Sequence, residues 1–204
     1  MNNYCLVCTP RSGSYYVLHH LSQERNLTEG KEWYGRMKRV HYDDLKTSPI
    51  TIDYTVNEDL LTNHEIEKRR MWLSGRDNFI IKCMPHQLSN TVENQDMSTE
   101  DKLKIAVDIL SDYKLIWLVR KDKMSQFCFR FIAQSNSFTA TKEEFDRYMK
   151  IERFTNSVRK YFPDCEEIIY EDFIKNKDIA PNPDYKKIMT NYDEIYKWFM
   201  TCST

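Results

Sequence analysis

The sequence predicts an α/β fold with three layers, in which helices flank a central, mainly parallel sheet as in P-loop proteins. Short apolar runs alternate along the chain with longer segments of helical periodicity, which is typical of this class. The run Leu115 to Val119 is apolar on both faces and therefore suits an interior strand. The run Tyr4 to Cys8 leads through a short polar turn into a helical pattern. With 204 residues, the chain is expected to form one domain over residues 1–204.

Four apolar runs are the predicted strands of the sheet. Each is short and is bounded by polar or turn-forming residues. They are Tyr4 to Cys8, Phe79 to Cys83, Lys114 to Val119 and Glu167 to Tyr170.

Capping signals place the predicted helices. Val17 and Leu18 continue the helical pattern that follows the first turn. A serine at position 98 precedes two acidic residues and predicts a helix to about residue 111. Thr141 and Glu144 have capping-box spacing and predict a long helix, and a closing helix is expected over Tyr192 to Met200.

Three stretches are predicted to lie outside regular elements. Pro85 to Met97 and Gln134 to Thr141 are rich in small polar residues and are expected to be loops. Residues 30–75 mix charged and aromatic side chains and are expected to form a helical and loop insertion that shapes a substrate pocket. Within it, Trp33 and Tyr34 are candidates to stack on a bound molecule, although aromatics are more often core residues.

Charge and hydropathy exclude several partners. Lys and Arg number 30 and Asp and Glu 31, so no global charge favours nucleic acid or an anionic membrane. No signal peptide opens the sequence and no apolar run of about 18 residues occurs, so a cytoplasmic location is expected. Cys5 and Cys8 point to opposite faces of an extended strand, and no second pair follows at zinc spacing, so no metal site is predicted.

The turn Thr9 to Ser14 predicts a phosphate-binding loop. A helix that starts after this turn presents unpaired backbone N–H groups and the positive end of its dipole to an anion. Arg11 adds paired guanidinium donors, and Gly13 keeps the turn small enough for close approach.

The same turn departs from a Walker A loop. It lacks the first glycine and the lysine of that motif. The predicted interior strand ends in Val119-Arg120-Lys121, where a Walker ATPase has an acidic residue for magnesium. This pattern favours a ligand whose phosphates are neutralised by side chains without a metal.

Four segments in family order resemble sulfotransferases that use 3′-phosphoadenosine 5′-phosphosulfate (PAPS), especially the bacterial trehalose sulfotransferase-like group. The turn Thr9 to Ser14 is similar to the loop of that family that binds the 5′-phosphosulfate. Trp117 to Gln126 resembles the segment that binds the 3′-phosphate. Ile80 to Cys83 and Ile169 to Phe173 are similar to a middle strand and a late Tyr-Glu-Asp segment of the family.

The resemblance implies PAPS as the donor, with adenosine 3′,5′-bisphosphate (PAP) as product and no metal. Arg120 would bind the 3′-phosphate. The family pairs that arginine with a later serine, but Cys128 and Phe129 stand there, and Ser125 is the candidate substitute. The residues implied at the 5′ end are Pro10, Arg11, Ser12, Gly13, Ser14 and Tyr15.

Three side chains are candidates for catalysis. Lys82 ends a predicted strand and is the candidate cation for a reacting oxygen. Glu32 precedes two aromatics, as does the base proposed for the trehalose-type enzymes, and is the first candidate for the base. His86 is the second, because an imidazole titrates near neutrality, and Glu29 is a further rival.

These expectations describe an enzyme that transfers a sulfuryl group to a hydroxyl of a small molecule or glycan. Two alternatives remain open at this point: a phosphotransferase similar to P-loop kinases, and a nucleotide-binding module without turnover. The departure at Cys128 and Phe129 is the feature that favours the last.

Overall fold

The computed structural model describes residues 2–34, 39–40, 52–53, 61–91, 93–132, 138–175 and 184–202. The strands are β1 Tyr4–Val7, β2 Thr28–Glu32, β3 Arg39–Val40, β4 Ile52–Asp53, β5 Phe79–Cys83, β6 Lys114–Val119 and β7 Glu166–Ile169. The helices are α1 Ser14–Glu24, α2 Asn63–Ser74, α3 Pro85–Ser89, α4 Thr99–Leu110, α5 Lys123–Ile132, α6 Lys142–Arg159, α7 Tyr170–Ile174, α8 Tyr185–Ile188 and α9 Tyr192–Cys202.

Five strands form a parallel sheet in the order β2-β5-β1-β6-β7, while β3 and β4 form a separate antiparallel pair. β1 is the middle strand, and it pairs with β5 on one side and β6 on the other. The predicted parallel sheet is confirmed, and β6 is an interior strand as its apolar sequence indicates. The carboxyl ends of all five strands therefore lie at one edge, where open α/β sheets bind their ligands.

Helices cover both faces of the sheet, so the three-layer α/β class is confirmed. Cys5 and Val7 face a core formed with α2, α3, α4 and α6. Leu6 and Cys8 face a second core formed with α1 and α7. The two cysteines lie on opposite faces, as the alternation of side chains along a strand predicts.

A third apolar cluster lies beyond the sheet. Phe127 and Phe131 of α5 pack against Phe145 of α6 and Ile195 of α9. Edge-to-face contacts between Phe127 and the Phe131 and Phe145 rings, at centroid distances of 5.3 and 5.7 Å, hold this cluster together. It fixes α5 and α6 against each other beside the carboxyl edge of the sheet.

Two predictions about local structure are wrong. β2 was not among the predicted strands, because its sequence Thr-Glu-Gly-Lys-Glu is polar, and it forms through pairing with β5. Residues 85–89 were expected to be loop but form α3. Pro85 occupies the first turn of that helix, where its missing N–H has no cost.

The capping box that the sequence predicts is present. Thr141 Oγ1 accepts a hydrogen bond from Glu144 N at 3.2 Å, and Glu144 Oε2 accepts one from Thr141 N at 2.9 Å. The box starts α6, which runs for 18 residues. Ser98 caps α4 in the same way, with Asp101 N donating at 3.1 Å.

The predicted insertion is described only at 30–34, 39–40, 52–53 and 61–75, and its role remains a prediction. Trp33 and Tyr34 are 1% and 0% exposed, so both belong to the core and cannot stack on a ligand. Residues 134–137 of the second predicted loop lie outside the described residues.

Among the described helices, none is both long enough and apolar enough to cross a membrane. Within that same part of the chain, no cluster of three or more His, Cys, Asp or Glu side chains has the arrangement of a metal site.

Burial predicts which cysteines react. Cys5, Cys8, Cys83 and Cys128 are buried, and burial raises the pKa of the Cys128 thiol to about 12, whereas Cys202 is exposed. Because the thiolate is the nucleophile, iodoacetamide at pH 8 is expected to modify Cys202 rapidly and the four buried thiols only after unfolding. Peptide mass spectrometry with a Cys202→Ser control measures this. Rapid native labelling at Cys5 or Cys83 would contradict the fold.

Candidate functional site

The loop between β1 and α1 has the backbone geometry of an anion-binding turn. Arg11 and Gly13 both have left-handed backbone, with φ of 61° and 80°, while the intervening Ser12 does not. Alternation of this kind points successive N–H groups into one concave surface. No side chain caps the N-terminus of α1, which spans 11 residues. The loop therefore directs backbone donors and a helix dipole toward the carboxyl edge of the sheet.

The side chains of the loop divide into buried and exposed groups. Ser12 and Ser14 are 0% and 6% exposed, and both hydroxyls approach the thiol of Cys8. Burial raises the pKa of that thiol. The Arg11 side chain is exposed. Contacts from this loop to an anion would thus come from its backbone N–H groups and from the Arg11 guanidinium, with the two serine hydroxyls directed inward.

Three successive loop residues are fixed by the segment that follows β6. The buried Gln126 amide donates from Nε2 to Thr9 Oγ1 at 2.6 Å and to the Pro10 carbonyl at 2.8 Å. Arg120 Nη1 donates to the Arg11 carbonyl at 3.0 Å. The loop is held in shape before any ligand arrives, which is the condition for strong anion binding by backbone donors.

Gly13 is required at its position for two reasons. Its φ of 80° is unfavourable for residues with a side chain. A Cβ atom at Gly13 would also lie 2.1 Å from Cε2 of Tyr170, so the tyrosine ring packs directly on the glycine backbone. The start of α7 thereby closes over the loop.

Arg120 lies between the loop and α7. Its guanidinium is 3% exposed and lies 5.0 Å from the centroid of the Tyr170 ring. Its Nε is 3.9 Å from Oε1 of Glu171, whose carboxylate also accepts the N–H groups of Lys121 and Asp122. Arg120 thus supports the loop, and its predicted contact with a 3′-phosphate remains a prediction.

An irregularity in β2 sets a carboxylate beside a lysine. Thr28 and Glu29 pair with Phe79 and Ile80 in register, but the register then shifts so that Glu32 lies opposite Lys82. Lys31, with φ of 50°, is the residue where the strand bulges. Without the extra residue, Lys31 would lie opposite Lys82, and two ammonium groups would face each other at the end of the sheet.

Glu32, Lys82, Tyr15 and Gln87 form one polar cluster at the carboxyl edge. Lys82 Nζ lies 2.6 Å from Glu32 Oε2 and 3.8 Å above the centroid of the Tyr15 ring. Gln87 donates from Nε2 to Glu32 Oε1 at 2.9 Å, and the Tyr15 hydroxyl donates to Oε2 at 3.2 Å. The Lys82 and Glu32 side chains are 4% and 13% exposed.

The chemistry of this cluster follows from its burial. Removing charges from water costs free energy unless they are paired, and here the Glu32 carboxylate and the Lys82 ammonium group lie beside each other. Tyr15 is the second residue of α1, so the pair lies next to the loop. The turn with its directed backbone N–H groups, the Glu32 carboxylate and the Lys82 ammonium group thus lie together at this edge of the sheet.

The rival bases lie elsewhere. Glu29 is on the same strand but approaches His19, with 3.3 Å between Oε2 and Nδ1, at a more exposed position. His86 lies in α3 next to Gln87 and lines a cavity between α3, α4 and α6. Of the three predicted bases, the structure brings Glu32 together with Lys82.

Cys128 stands where the sulfotransferases that the sequence resembles have their second 3′-phosphate residue. Cys128 is fully buried in the cluster around Phe127 and is directed into the core. The Ser125 hydroxyl donates to Asp122 Oδ2 at 2.5 Å, and its N–H donates to Oδ1 at 2.9 Å, so this pair forms the start of α5. That Ser125 donates a hydrogen bond to a 3′-phosphate remains a prediction.

Sequence reasoning missed Gln87, Gln126 and the packing of Tyr170 on the loop. Gln87 lay in a stretch predicted to be loop, and a lone glutamine carries no motif. Gln126 is the last residue of the strand-to-helix segment, but its partners Thr9 and Pro10 lie far away in sequence.

Comparisons with known proteins leave the family open. No protein-family model matches the chain, and no curated protein matches it. Among solved structures, a crystal structure of the YorR protein of Bacillus subtilis in complex with phosphorylated GDP aligns with 14% identity and a TM-score of 0.40, covering 98% of this chain and 95% of that one. A likeness at that TM-score carries no inference about function, and the α/β class is established by the sheet itself.

The buried ion pair predicts a non-additive effect on stability. Glu32→Gln leaves the Lys82 ammonium without its charged partner and is expected to lower the free energy of unfolding by about 3 kcal/mol. Lys82→Met leaves the Glu32 carboxylate without its charged partner and is expected to lower the free energy of unfolding by a similar amount. The double variant should recover most of the loss, because no buried charge remains. Urea unfolding measures all three, and losses that simply add would contradict the coupling.

Because Tyr170 packs directly on Gly13, a side chain at position 13 is expected to lower the stability of the fold. Gly13→Ala is expected to destabilise the chain by about 2 kcal/mol, since it combines strained backbone with a clash. Gly75→Ala is the matched control, because Gly75 has φ of −84° and a Cβ there would lie 4.0 Å from the Trp72 carbonyl oxygen, an ordinary van der Waals contact. Thermal unfolding compares the two, and equal melting temperatures would show that Tyr170 does not constrain the loop.

Proposed function

We propose that this chain is a sulfotransferase that moves a sulfuryl group from PAPS to a hydroxyl of a small molecule or carbohydrate. The observation that carries the proposal is the buried pair of Glu32 and Lys82, 2.6 Å apart and joined through Tyr15 to the loop at the start of α1. Transfer of a charged group to a hydroxyl needs a loop that holds the donor, a base for the hydroxyl proton and a cation for the leaving oxygen.

The residues present fit the donor. The loop offers backbone N–H groups and Arg11 to a 5′-phosphosulfate, and Arg120 and Lys121 follow β6 where a magnesium ligand would stand in a Walker ATPase. The Glu171 carboxylate beside Arg120 is occupied in accepting backbone N–H groups. Positive side chains would thus neutralise the phosphate charges of the donor, which supports a nucleotide site that needs no metal.

When bound, PAPS would supply an activated sulfuryl group: the acceptor oxygen bonds to sulfur, the bond from sulfur to the bridging phosphate oxygen breaks, and PAP and a sulfate ester result. Glu32 takes the proton of the acceptor hydroxyl. Lys82 neutralises charge that develops on the bridging oxygen. Gln87 keeps the carboxylate oriented, and the loop N–H groups hold the phosphate in line.

Calorimetry tests the nucleotide specificity. PAP is expected to bind without magnesium, and Arg11→Ala should weaken that binding at least about tenfold by removing a charge-assisted contact. The control is Lys160→Ala, at the end of α6. Tighter binding of ATP with magnesium than of PAP would overturn the proposal in favour of a phosphotransferase.

Turnover distinguishes an enzyme from a binding module and identifies the base. With ³⁵S-labelled PAPS and a panel of hydroxyl acceptors, Glu32→Gln should lower kcat by about 10²- to 10⁴-fold, while Glu29→Gln on the same strand leaves it unchanged. Full activity of Glu32→Gln with loss in His86→Ala would assign the base to His86. PAP binding without transfer to any acceptor would identify a nucleotide-binding module.

A further inference from the structure

A cavity of about 630 Å³ lies between α3, α4 and α6, next to the polar cluster. This volume is in the range of sites for small ligands. Gln87 belongs to both features, since it lines the cavity and donates to Glu32 Oε1 at 2.9 Å. Gln87 therefore connects the cavity to Glu32, the proposed base.

The cavity is lined by an excess of positive charge. Arg147, Lys150 and Arg153 follow one another at intervals of three along α6, and Lys102 comes from α4. No acidic residue is among the described residues that line it. Neither Lys150 nor Arg153 forms an ion pair with a carboxylate in the described part of the chain, and Arg147 only approaches the exposed Glu143 at 3.7 Å.

Two residues that line the cavity each have a buried polar atom with hydrogen-bonding capacity left. Gln87 Oε1 and Ser89 Oγ have no hydrogen-bond partner among the described residues, although the two residues are only 9% and 1% exposed. Because Gln87 Nε2 donates to a carboxylate, its oxygen must be the other atom of the amide, an acceptor suited to a hydroxyl. Buried polar groups without partners are rare in folded proteins.

We infer that this basic cavity binds the acceptor, and that the acceptor carries an anionic group of its own in addition to the reacting hydroxyl. A saccharide bearing a sulfate, phosphate or carboxylate fits this chemistry. The cations of α6 and Lys102 hold the anionic group, while Gln87 brings the hydroxyl toward Glu32. This inference rests on the proposed function, but it concerns only the acceptor.

Calorimetry on the full chain saturated with PAP tests the inference without requiring turnover. The probes are lactose and disaccharides of matching size that carry one sulfate, one phosphate or one uronate, which distinguish the possible sources of charge. At least one charged disaccharide is expected to bind about tenfold or more tightly than lactose. The double variant Lys150→Ala/Arg153→Ala should abolish that preference, and Lys160→Ala at the end of α6 should keep it.

Three results would overturn the inference. One is equal binding of neutral and charged disaccharides by the unchanged protein. Another is binding of inorganic sulfate as tight as that of the sulfated disaccharide, which would mark a site for the anion alone. The third is a loss of PAP affinity in the double variant, which would assign the cavity to the nucleotide. A failure of PAP to bind the unchanged protein overturns the proposed function instead, and the same disaccharide titrations without nucleotide still test the cavity.

Discussion

The Lys82 ammonium lies almost entirely out of water at the end of β5, and the arrangement of the site follows from the groups that compensate its charge. Burying a charge costs free energy that a partner of opposite charge beside it offsets. The bulge at Lys31 supplies that partner by setting Glu32 opposite Lys82. Gln87 from α3 and Tyr15 from α1 each donate a further hydrogen bond to the carboxylate. One buried charge thus determines how an edge strand, a helix and a loop meet.

The loop at the start of α1 depends on contacts from the other half of the sheet. Arg120 and Gln126, which follow β6, hold its carbonyl and hydroxyl groups, and Tyr170, which follows β7, packs on Gly13. Because β1 lies in the middle of the sheet, its loop receives support from β6 and β7 on one side and faces Lys82 of β5 on the other. The strand order thereby places the loop at the start of α1 beside the Glu32–Lys82 pair.

An element of this structure can be predicted from sequence when the residues that form it lie close together in the chain. β1, β5, β6 and the capping box of α6 depend on local apolar patterns and on side chains three residues apart, and the sequence predicts them. β2 is polar and forms only by pairing with β5, so its pattern gives no signal. Glu29 and Glu32 could both be named as candidate bases, but the bulge that sets Glu32 in place of Lys31 opposite Lys82 could not be foreseen.

The same limit applies to the side chains that support the site. Gln126 and Gln87 act on groups far away in sequence, and a lone glutamine carries no pattern that indicates its partner. The position of Arg120 at a strand end was predictable, whereas its engagement with the Arg11 carbonyl was not.

If the loop and the Glu32–Lys82 pair form one site for a phosphosulfate donor, a crystal of the chain soaked with PAP will hold the nucleotide at that site. We expect the 5′-phosphate within hydrogen-bonding distance of the N–H groups of residues 12–14, with Lys82 facing it. A nucleotide bound elsewhere, or a 5′-phosphate directed away from Lys82, would refute the shared site.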